Sequence, residues 1–139
     1  MVTENEYAAA VIEIAFQVHR ATGPGLLESA YHRMLAFELE EAKIAFEKEV
    51  AVPIKYKSIV LESGFRADFI VDNSLLVEIK SVETIQPVHL KQVLTYVRLA
   101  NLRLGLLINF GEEYLKNGIK RFANGMPDDS PAVGTTPPV

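Results

Sequence analysis

The sequence predicts an α/β fold in which a mixed central sheet is flanked by helices. Three observations lead to this class. Apolar residues recur at helical spacing up to about Lys43, they alternate from Ile44 onwards, and a nearly continuous apolar run follows a further helical stretch. With 139 residues, 49% of them hydrophobic and 23% charged, the chain has the profile of one globular domain. We expect that domain to span residues 1–123, followed by a disordered tail over residues 124–139.

Two helices are predicted at the start of the chain. Thr3 and Glu6 have the spacing of a capping box, which marks the beginning of the first helix. The sequence Gly-Pro-Gly at 23–25 ends this helix, because glycine adopts left-handed dihedral angles and proline donates no amide. A second amphipathic helix is expected from about Leu26 to Lys43.

Strands are predicted after this helical region. The segment from Ile44 to Tyr56 predicts a pair of half-exposed strands, with Pro53 at an edge or a bulge. A third strand is expected over residues 65–71 and a fourth over residues 75–80, joined by the turn-forming sequence Asp-Asn-Ser at 72–74.

The last elements are a helix over residues 86–101, a buried strand over 104–109 and a short strand over 119–122. Without that short strand, the predicted order is α, α, β, β, β, β, α, β. Such an order is typical of a sheet with helices packed against it.

The hairpin formed by the third and fourth predicted strands carries a pair of acids. Odd-numbered positions of both strands are apolar, so we expect them on one face against the core. A three-residue loop pairs Val71 with Leu75, and the same register places Asp68 opposite Glu78, with Lys80 further along that face. Opposed Cβ atoms lie about 4.5–5.5 Å apart, and like charges at that distance destabilise a hairpin unless a cation lies between them.

Two carboxylates at one point suit a hard divalent cation such as Mg²⁺ or Mn²⁺. The backbone carbonyl of Ile79 is a candidate third oxygen ligand. Lys80 is expected to orient or deprotonate a water, or to stabilise charge on a phosphorus-bound oxygen. The alternative is an ordinary solvated hairpin face on which Asp68 and Glu78 pair with lysine.

Side chains on the predicted helices are candidates for a supporting or substrate-binding role. Glu28 and Tyr31 are three residues apart on one helix face, and Gln92 and Tyr96 are four apart on another. His89 lies three residues before Gln92 and is a further candidate. Simpler explanations exist. Glu28 is of a type that the helix dipole favours in a first turn, and Gln92 and Tyr96 are of types that commonly bridge core and water on an amphipathic helix. His32, four residues after Glu28, is either a half-buried histidine or a residue that orients Glu28.

The hairpin motif resembles the signature of the PD-(D/E)xK nucleases: Asp68 is followed by Glu78-Ile79-Lys80, although alanine precedes the aspartate where proline is usual. The segment Gly25–Tyr31 matches the GxxExxY motif that names a small bacterial and archaeal family assigned to that superfamily. Segments 66–69, 77–80 and 105–111 also resemble blocks of that family. The likeness spans about residues 6–123.

This resemblance implies a restriction-endonuclease-like αβββαβ core and Mg²⁺-dependent cleavage of phosphodiester bonds. It implies that Glu28, Asp68 and Glu78 hold the metal and that Lys80 assists the water or the transition state. Gln92 and Tyr96 fit a Q-x-x-x-Y element that supports the site and the substrate in exonuclease branches of the superfamily.

Composition excludes other classes of function. The absence of cysteine excludes a disulfide framework, a thiolate zinc site and a cysteine nucleophile. No apolar run approaches the roughly 18 residues of a membrane span, and the acidic start lacks an export signal, so a cytoplasmic location is expected. The net charge of −4 argues against a general nucleic-acid coat protein. However, residues 79–125 carry 7 basic and 3 acidic side chains, which would suit an anionic ligand.

The favoured hypothesis is a metal-dependent nuclease whose substrate is nucleic acid, most readily DNA. The alternative is a catalytically silent nuclease-like fold that binds nucleic acid or a protein. A homodimer that composes the substrate groove is a third hypothesis, indicated by Tyr7, Tyr56 and the strand edge near Pro53. The sequence leaves open the strand structure of the substrate, the mode of cleavage and the pathway.

Overall fold

The computed structural model describes residues 1–127 of the chain. Its elements are α1 (Glu4–Thr22), α2 (Glu28–Glu41), β1 (Phe46–Tyr56), β2 (Ile59–Val71), β3 (Leu75–Lys80), α3 (Pro87–Leu99), β4 (Leu104–Asn109) and β5 (Ile119–Ala123), with a 3₁₀ turn (Leu115–Gly118) before β5. From α2 to β4 the order is αβββαβ, as expected. No helix among these residues is long and apolar enough to cross a membrane.

The five strands form one mixed sheet in the order β1-β2-β3-β4-β5. The β3 and β4 strands run parallel, and the other neighbouring pairs are antiparallel. Parallel neighbours need a crossover connection, and α3 supplies it between β3 and β4. The predicted α/β class and mixed sheet are therefore confirmed.

Both ends of α1 follow the expected chemistry. Thr3 Oγ1 accepts from the Glu6 N–H at 3.2 Å, and Glu6 Oε1 accepts from the Thr3 N–H at 2.9 Å. At the other end Gly23 has φ 70° and its N–H donates to the His19 carbonyl at 2.7 Å. A residue with a Cβ adopts this conformation only with strain, so the glycine ends the helix here.

A hydrophobic core lies on each face of the sheet. On one face, α1 and α2 pack on residues that include Phe69 and Val77. On the other, α3 packs on residues that include Phe65 and Leu76. The sheet is thus covered by helices on both sides, which explains why β3 and β4 are buried over nearly their whole length.

The strand pair predicted between Ile44 and Tyr56 is wrong, because this segment forms the single strand β1. Its partner is β2, which begins at Ile59, six residues before the predicted start of the third strand. A two-residue turn at Lys57 and Ser58 joins them, and Lys57 has φ 54° without being glycine or asparagine. The turn therefore carries no ordinary hairpin signal. The prediction for Pro53 is confirmed: it lies on the edge strand, where the register shifts between Val52 and Ile54.

The prediction that all odd positions of the hairpin share one face is also wrong. Phe65 and Ala67 pack against α3, whereas Phe69 packs against α1 and α2. In the β1–β2 ladder Val50 pairs with Ala67 and Lys48 with Phe69, whereas Glu49 and Asp68, which lie between these pairs, are not paired. Glu49 has φ 51° at this point. This irregularity breaks the alternation, so β2 changes the face that it presents at Asp68.

The chain remains packed beyond the predicted domain end at residue 123. The Asn124 side chain donates to the Leu102 carbonyl at 2.8 Å, and Met126 is buried in the core on the face of the sheet that α1 and α2 cover. The predicted disordered tail therefore starts too early by at least three residues. Residues 128–139 of that tail lie outside the described residues.

Candidate functional site

The hairpin register agrees with the sequence prediction. Phe69 pairs with Val77 and Val71 with Leu75. The main-chain ladder stops there, and side chains continue it: Asp68 Oδ2 accepts from the Ile79 N–H at 2.8 Å, and Glu78 Oε2 accepts from the Asp68 N–H at 2.6 Å. We call this reciprocal arrangement of Asp68 and Glu78 the carboxylate clasp.

The carboxylate clasp lies where β2 and β3 separate. Each carboxylate uses one oxygen on the opposite strand, which leaves its second oxygen for a further ligand. The backbone bonds also fix the orientation of both side chains. The structure therefore brings the two acids together, as the register predicted.

Burial makes it costly for both acids of the clasp to be ionised at once. Glu78 is 8% exposed, and burial followed by the charge of Asp68 raises its pKa to about 8. Burial also raises the pKa of Asp68, although the bond from the Ile79 N–H lowers it in part. Near neutral pH the pair accordingly retains a proton unless a cation replaces it.

Lys80 and Glu28 share the environment of the clasp. The positive charge of Lys80 lowers the pKa of Glu28, Asp68 and Glu78 against the larger effect of burial. Partial burial of the Glu28 carboxyl and the charge of Asp68 raise its pKa, although the residue as a whole is exposed. Three acids and one ammonium therefore act on one another.

The loop before α2 places Glu28. Tyr31 is fully buried and stacks on Phe110 with ring centroids 4.5 Å apart. Its hydroxyl donates to the Gly23 carbonyl and accepts from the Leu26 N–H at 3.2 Å. Tyr31 thus supports the loop that leads to Glu28, and no face of its side chain is open to a substrate.

A second contact ties this loop to the end of β3. Ser81 Oγ donates to the Leu26 carbonyl at 2.6 Å. Ser81 directly follows Lys80, and Leu26 precedes Glu28 by two residues. The bond therefore links the segment that carries Glu28 to the segment that carries Lys80.

The three candidates on α3 lie differently. Tyr96 stacks on Phe65 with ring centroids 4.0 Å apart, and burial together with the charges of Glu78 and Asp68 raises its pKa. His89 caps the helix, since its Nδ1 accepts from the Gln86 N–H at 3.0 Å. Gln92 is exposed one turn before Tyr96.

The site opens into a cavity of about 320 Å³ between α2 and the β1–β2 pair. Its lining comprises Glu28, Ser29, His32, Arg33, Lys48, Glu49 and Asp68. The contributions from β1 were not predicted, because they come from a strand with no motif and depend on a long-range strand pairing. The positive φ of Glu49 marks the place where β1 turns toward Asp68.

Asn109 was also missed as a residue of the site's framework. It is fully buried, its Oδ1 accepts from the Val82 and Gly111 N–H groups at 3.0 Å each, and its Nδ2 donates to the Val82 carbonyl at 2.8 Å. A Cβ on Gly111 would lie 2.2 Å from the Val82 carbonyl oxygen. These contacts hold the segment that follows Lys80 and account for part of the Gly105–Gly111 motif.

The carboxylate clasp offers two oxygen ligands of the kind that a hard dication prefers, but not a complete ligand set. A buried and a half-buried carboxylate with raised pKa values and unused oxygens are suitable ligands for Mg²⁺ or Mn²⁺. Among residues 1–127, however, no three His, Cys, Asp or Glu side chains are grouped to hold a metal ion. Glu28 is therefore near the clasp without completing it. The Ile79 N–H holds Asp68, and a ligand role for the Ile79 carbonyl remains a prediction.

Comparison of the sequence with known protein families gives one match. Residues 5–122 match the model of the family described as PD-(D/E)XK nuclease superfamily. The chain is also similar to a solved structure described as "Crystal structure of SSO0001", with a TM-score of 0.46 and 22% identity. That alignment covers 91% of this chain and 63% of the other, so this chain spans less than two thirds of that protein's length. No curated protein matches.

Proposed function

The chain belongs to the PD-(D/E)XK nuclease superfamily, and we propose that it is a metal-dependent nuclease that hydrolyses phosphodiester bonds in nucleic acid, most readily DNA. The observation that supports this most is the carboxylate clasp with Lys80 beside it. Membership in the narrower GxxExxY family is part of the proposal and rests on the motif at Gly25–Tyr31 together with the resembling segments 66–69, 77–80 and 105–111.

Asp68 and Glu78 are the proposed metal ligands, joined by Glu28 from α2 and by the Ile79 carbonyl. Mg²⁺ or Mn²⁺, when bound, would polarise the phosphate and supply an activated water. The clasp prepares both acids for this role, because backbone bonds fix one oxygen of each and leave the other available. Among residues 1–127 Glu28 is not grouped with the clasp as a metal site, so its place in the ligand set requires that its carboxylate approach the clasp when the metal binds.

Lys80 is proposed to act on the reacting phosphate. Its positive charge acts on all three acids, and in this proposal it stabilises negative charge that develops on phosphorus-bound oxygens or orients the attacking water. The charges of Glu78 and Asp68 act on Tyr96 of α3, which in this proposal supports the site or contacts the substrate together with Gln92. His89, which caps the start of α3, is a further candidate for a supporting role.

The second candidate function is a binding module without catalytic activity. It is favoured because, among residues 1–127, no third acid is grouped with Asp68 and Glu78 to hold a metal ion. Calorimetric titration with Mn²⁺ separates the two candidates. The nuclease proposal predicts binding to the wild type that Asp68→Asn removes. Absence of binding, or equal binding by both proteins, favours the module.

Cleavage by a Lys80→Ala variant tests the proposed activity. Labelled single-stranded, duplex and branched DNA, and RNA, are incubated with Mg²⁺ or Mn²⁺. We expect cleavage by the wild type and a loss of about 10²–10³-fold in Lys80→Ala, the usual effect of removing a charge that stabilises a transition state. Lys120→Ala, which removes an exposed lysine on β5, is the matched control and should cleave normally. Equal behaviour of wild type and Lys80→Ala on every substrate refutes the catalytic role.

A further inference from the structure

Two basic side chains line the cavity between α2 and the β1–β2 pair, one from each wall. Arg33 belongs to the helix and Lys48 to β1. Both are exposed, and among residues 1–127 neither forms an ion pair. Asp68 lines the same cavity, so one acid of the carboxylate clasp is reached from it. A ligand that fills the cavity therefore meets the two basic side chains and the proposed reaction site together.

The helix wall of the cavity follows from helical spacing. Arg33 lies four residues after Ser29, and both line the cavity, so they share a face of α2. Glu28 begins the helix on the same side. At 1.5 Å of rise per residue, Arg33 lies about 7.5 Å along the axis from Glu28. This separation is close to the spacing of neighbouring phosphates along one nucleic-acid strand.

The strand wall depends on the irregularity of β1. Lys48 pairs with Phe69, and paired residues of an antiparallel ladder share a face, so Lys48 lies on the side of the sheet that α1 and α2 cover. Glu49, as the next residue, would normally point to the other side. Its φ of 51° breaks the alternation, and Arg66 Nη1 donates to its carbonyl at 2.8 Å. Lys48 and Glu49 consequently both line the cavity.

The charges in the cavity leave a positive balance beside the proposed metal ligands. Asp68 and Glu28 are the acids proposed to bind the cation. Of the other Asp, Glu, Lys and Arg side chains in the lining, Arg33 and Lys48 are positive and Glu49 is negative. A guanidinium and an ammonium suit a phosphate group, because its oxygens accept charge-assisted hydrogen bonds from both.

We propose that Arg33 and Lys48 bind a phosphate of the substrate strand next to the reacting phosphate, and so position that strand at the clasp. Their contribution is to the affinity for the strand and not to the chemical step. Contacts to phosphate carry no sequence information, so the effect should be the same for strands of different sequence. The inference rests on the proposed function, because it takes nucleic acid as the substrate.

Fluorescence anisotropy of labelled DNA and RNA, single-stranded and duplex, tests this role. The Kd is measured at several salt concentrations with Ca²⁺, a dication that also takes oxygen ligands. For each probe that the wild type binds, Lys48→Gln and Arg33→Gln should each raise the Kd about tenfold, the effect of one lost charge-assisted hydrogen bond. Each should also reduce the slope of log Kd against log salt by about 1, as expected for a lost phosphate contact.

Lys55→Gln is the matched control. It removes an exposed lysine from the same strand that does not line the cavity, so its Kd and salt slope should equal those of the wild type. All three substitutions are at exposed positions, and the melting temperatures should stay close to that of the wild type.

Cleavage kinetics with Mn²⁺ separate binding from chemistry. Lys48→Gln and Arg33→Gln should raise KM by the same factor as Kd and leave kcat unchanged. If both bind like Lys55→Gln, or lower kcat at unchanged KM, the phosphate role is overturned, and cleavage by the wild type leaves the proposed function intact. Weaker binding by both variants with no cleavage by the wild type supports the phosphate site and contradicts the nuclease. A wild type that binds no probe overturns both proposals.

Discussion

At the scale of single residues, the two acids of the clasp tolerate each other because backbone N–H groups and a retained proton offset their repulsion. Each carboxylate accepts one N–H from the opposite strand, which stabilises its charged form. Burial has the opposite effect and dominates for both. A divalent cation would replace the proton and would satisfy the remaining oxygens, so metal affinity should increase with pH up to about pH 8.

The raised pKa of Glu78 predicts a pH-dependent stability in the absence of cation. The carboxyl has a pKa of 4.5 in its ordinary state and about 8 in the folded protein. Between these values the folded chain binds more protons than the unfolded chain, so the free energy of unfolding falls as pH rises. Glu78→Gln keeps an oxygen for the Asp68 N–H but never ionises. We expect the free energy of unfolding of this variant at pH 8 to exceed that of the wild type by about 1–3 kcal/mol, which is the desolvation penalty of a buried polar group.

Urea denaturation at several pH values measures this effect. Glu62→Gln, an exposed glutamate on the same hairpin, is the control and should follow the wild type at every pH. A wild type whose stability is flat or rises between about pH 5 and pH 8 would show that Glu78 is ionised throughout.

Sequence reasoning found the acids because a short turn fixes the hairpin register, which the pairing of Val71 with Leu75 confirms. It could not find the bonds of the clasp, which form only because the ladder ends beyond Phe69 and Val77. The surroundings of His32 and Asn109 could not be predicted from the sequence either. Both depend on partners far along the chain, such as Phe69 and Val82.

At the scale of elements, the site depends on how the ends of β3 and β4 are joined. These strands run parallel with Lys80 beside Asn109, and the Phe110 N–H donates to the Lys80 carbonyl at 2.8 Å. Asn109 then bonds to Val82 on one side and to Gly111 on the other. One buried amide side chain therefore connects the two strand ends next to the clasp.

Asn109→Ala should destabilise the fold and disturb the site. The change leaves the N–H groups of Val82 and Gly111 and the Val82 carbonyl without their partner, and each unsatisfied buried group costs about 1–3 kcal/mol. Thermal denaturation measures the loss. The matched control, Asn117→Ala, alters an exposed asparagine and should stay within about 0.5 kcal/mol of the wild type. Equal stability of the two variants would contradict the bridging role.

The prediction of elements succeeded where capping and periodicity depend on neighbouring residues. It failed where the backbone geometry depends on residues far apart in the chain. The capping box at Thr3 and the helix end at Gly23 need only neighbouring residues. By contrast, the turn at Lys57 and the change of face at Asp68 require a positive φ at residues other than glycine. Such conformations are imposed by strand pairing, which sequence periodicity does not reveal.

At the scale of the whole molecule, the exposed end of the β1–β2 hairpin bears on the homodimer hypothesis. Ile54 pairs with Leu61 and Tyr56 with Ile59, so these four apolar side chains share one face. Tyr56, Ile59 and Leu61 are at least half exposed, at 60%, 53% and 50%. Such a patch is typical of interaction surfaces. Tyr7, by contrast, bonds to Asp72 within its own chain.

Light scattering of the full chain tests the dimer. We expect a mass of twice the 15.4 kDa of one chain, and a mass near 15.4 kDa in Ile59→Lys. Val60→Lys is the matched control: Val60 pairs with Lys55 on the opposite face, so this change should leave the dimer intact. A wild type that stays at 15.4 kDa at high concentration contradicts the hypothesis.

The most direct test of the nuclease account is the rate of DNA cleavage as a function of Mg²⁺ concentration, measured for the wild type and for Glu78→Gln. The account predicts a saturable increase in rate for the wild type and only background cleavage for the variant, although the variant is folded and bonds to the Asp68 N–H as before. Cleavage by Glu78→Gln at the wild-type rate, or wild-type cleavage that persists when the cation is chelated, would contradict the central role of the carboxylate clasp.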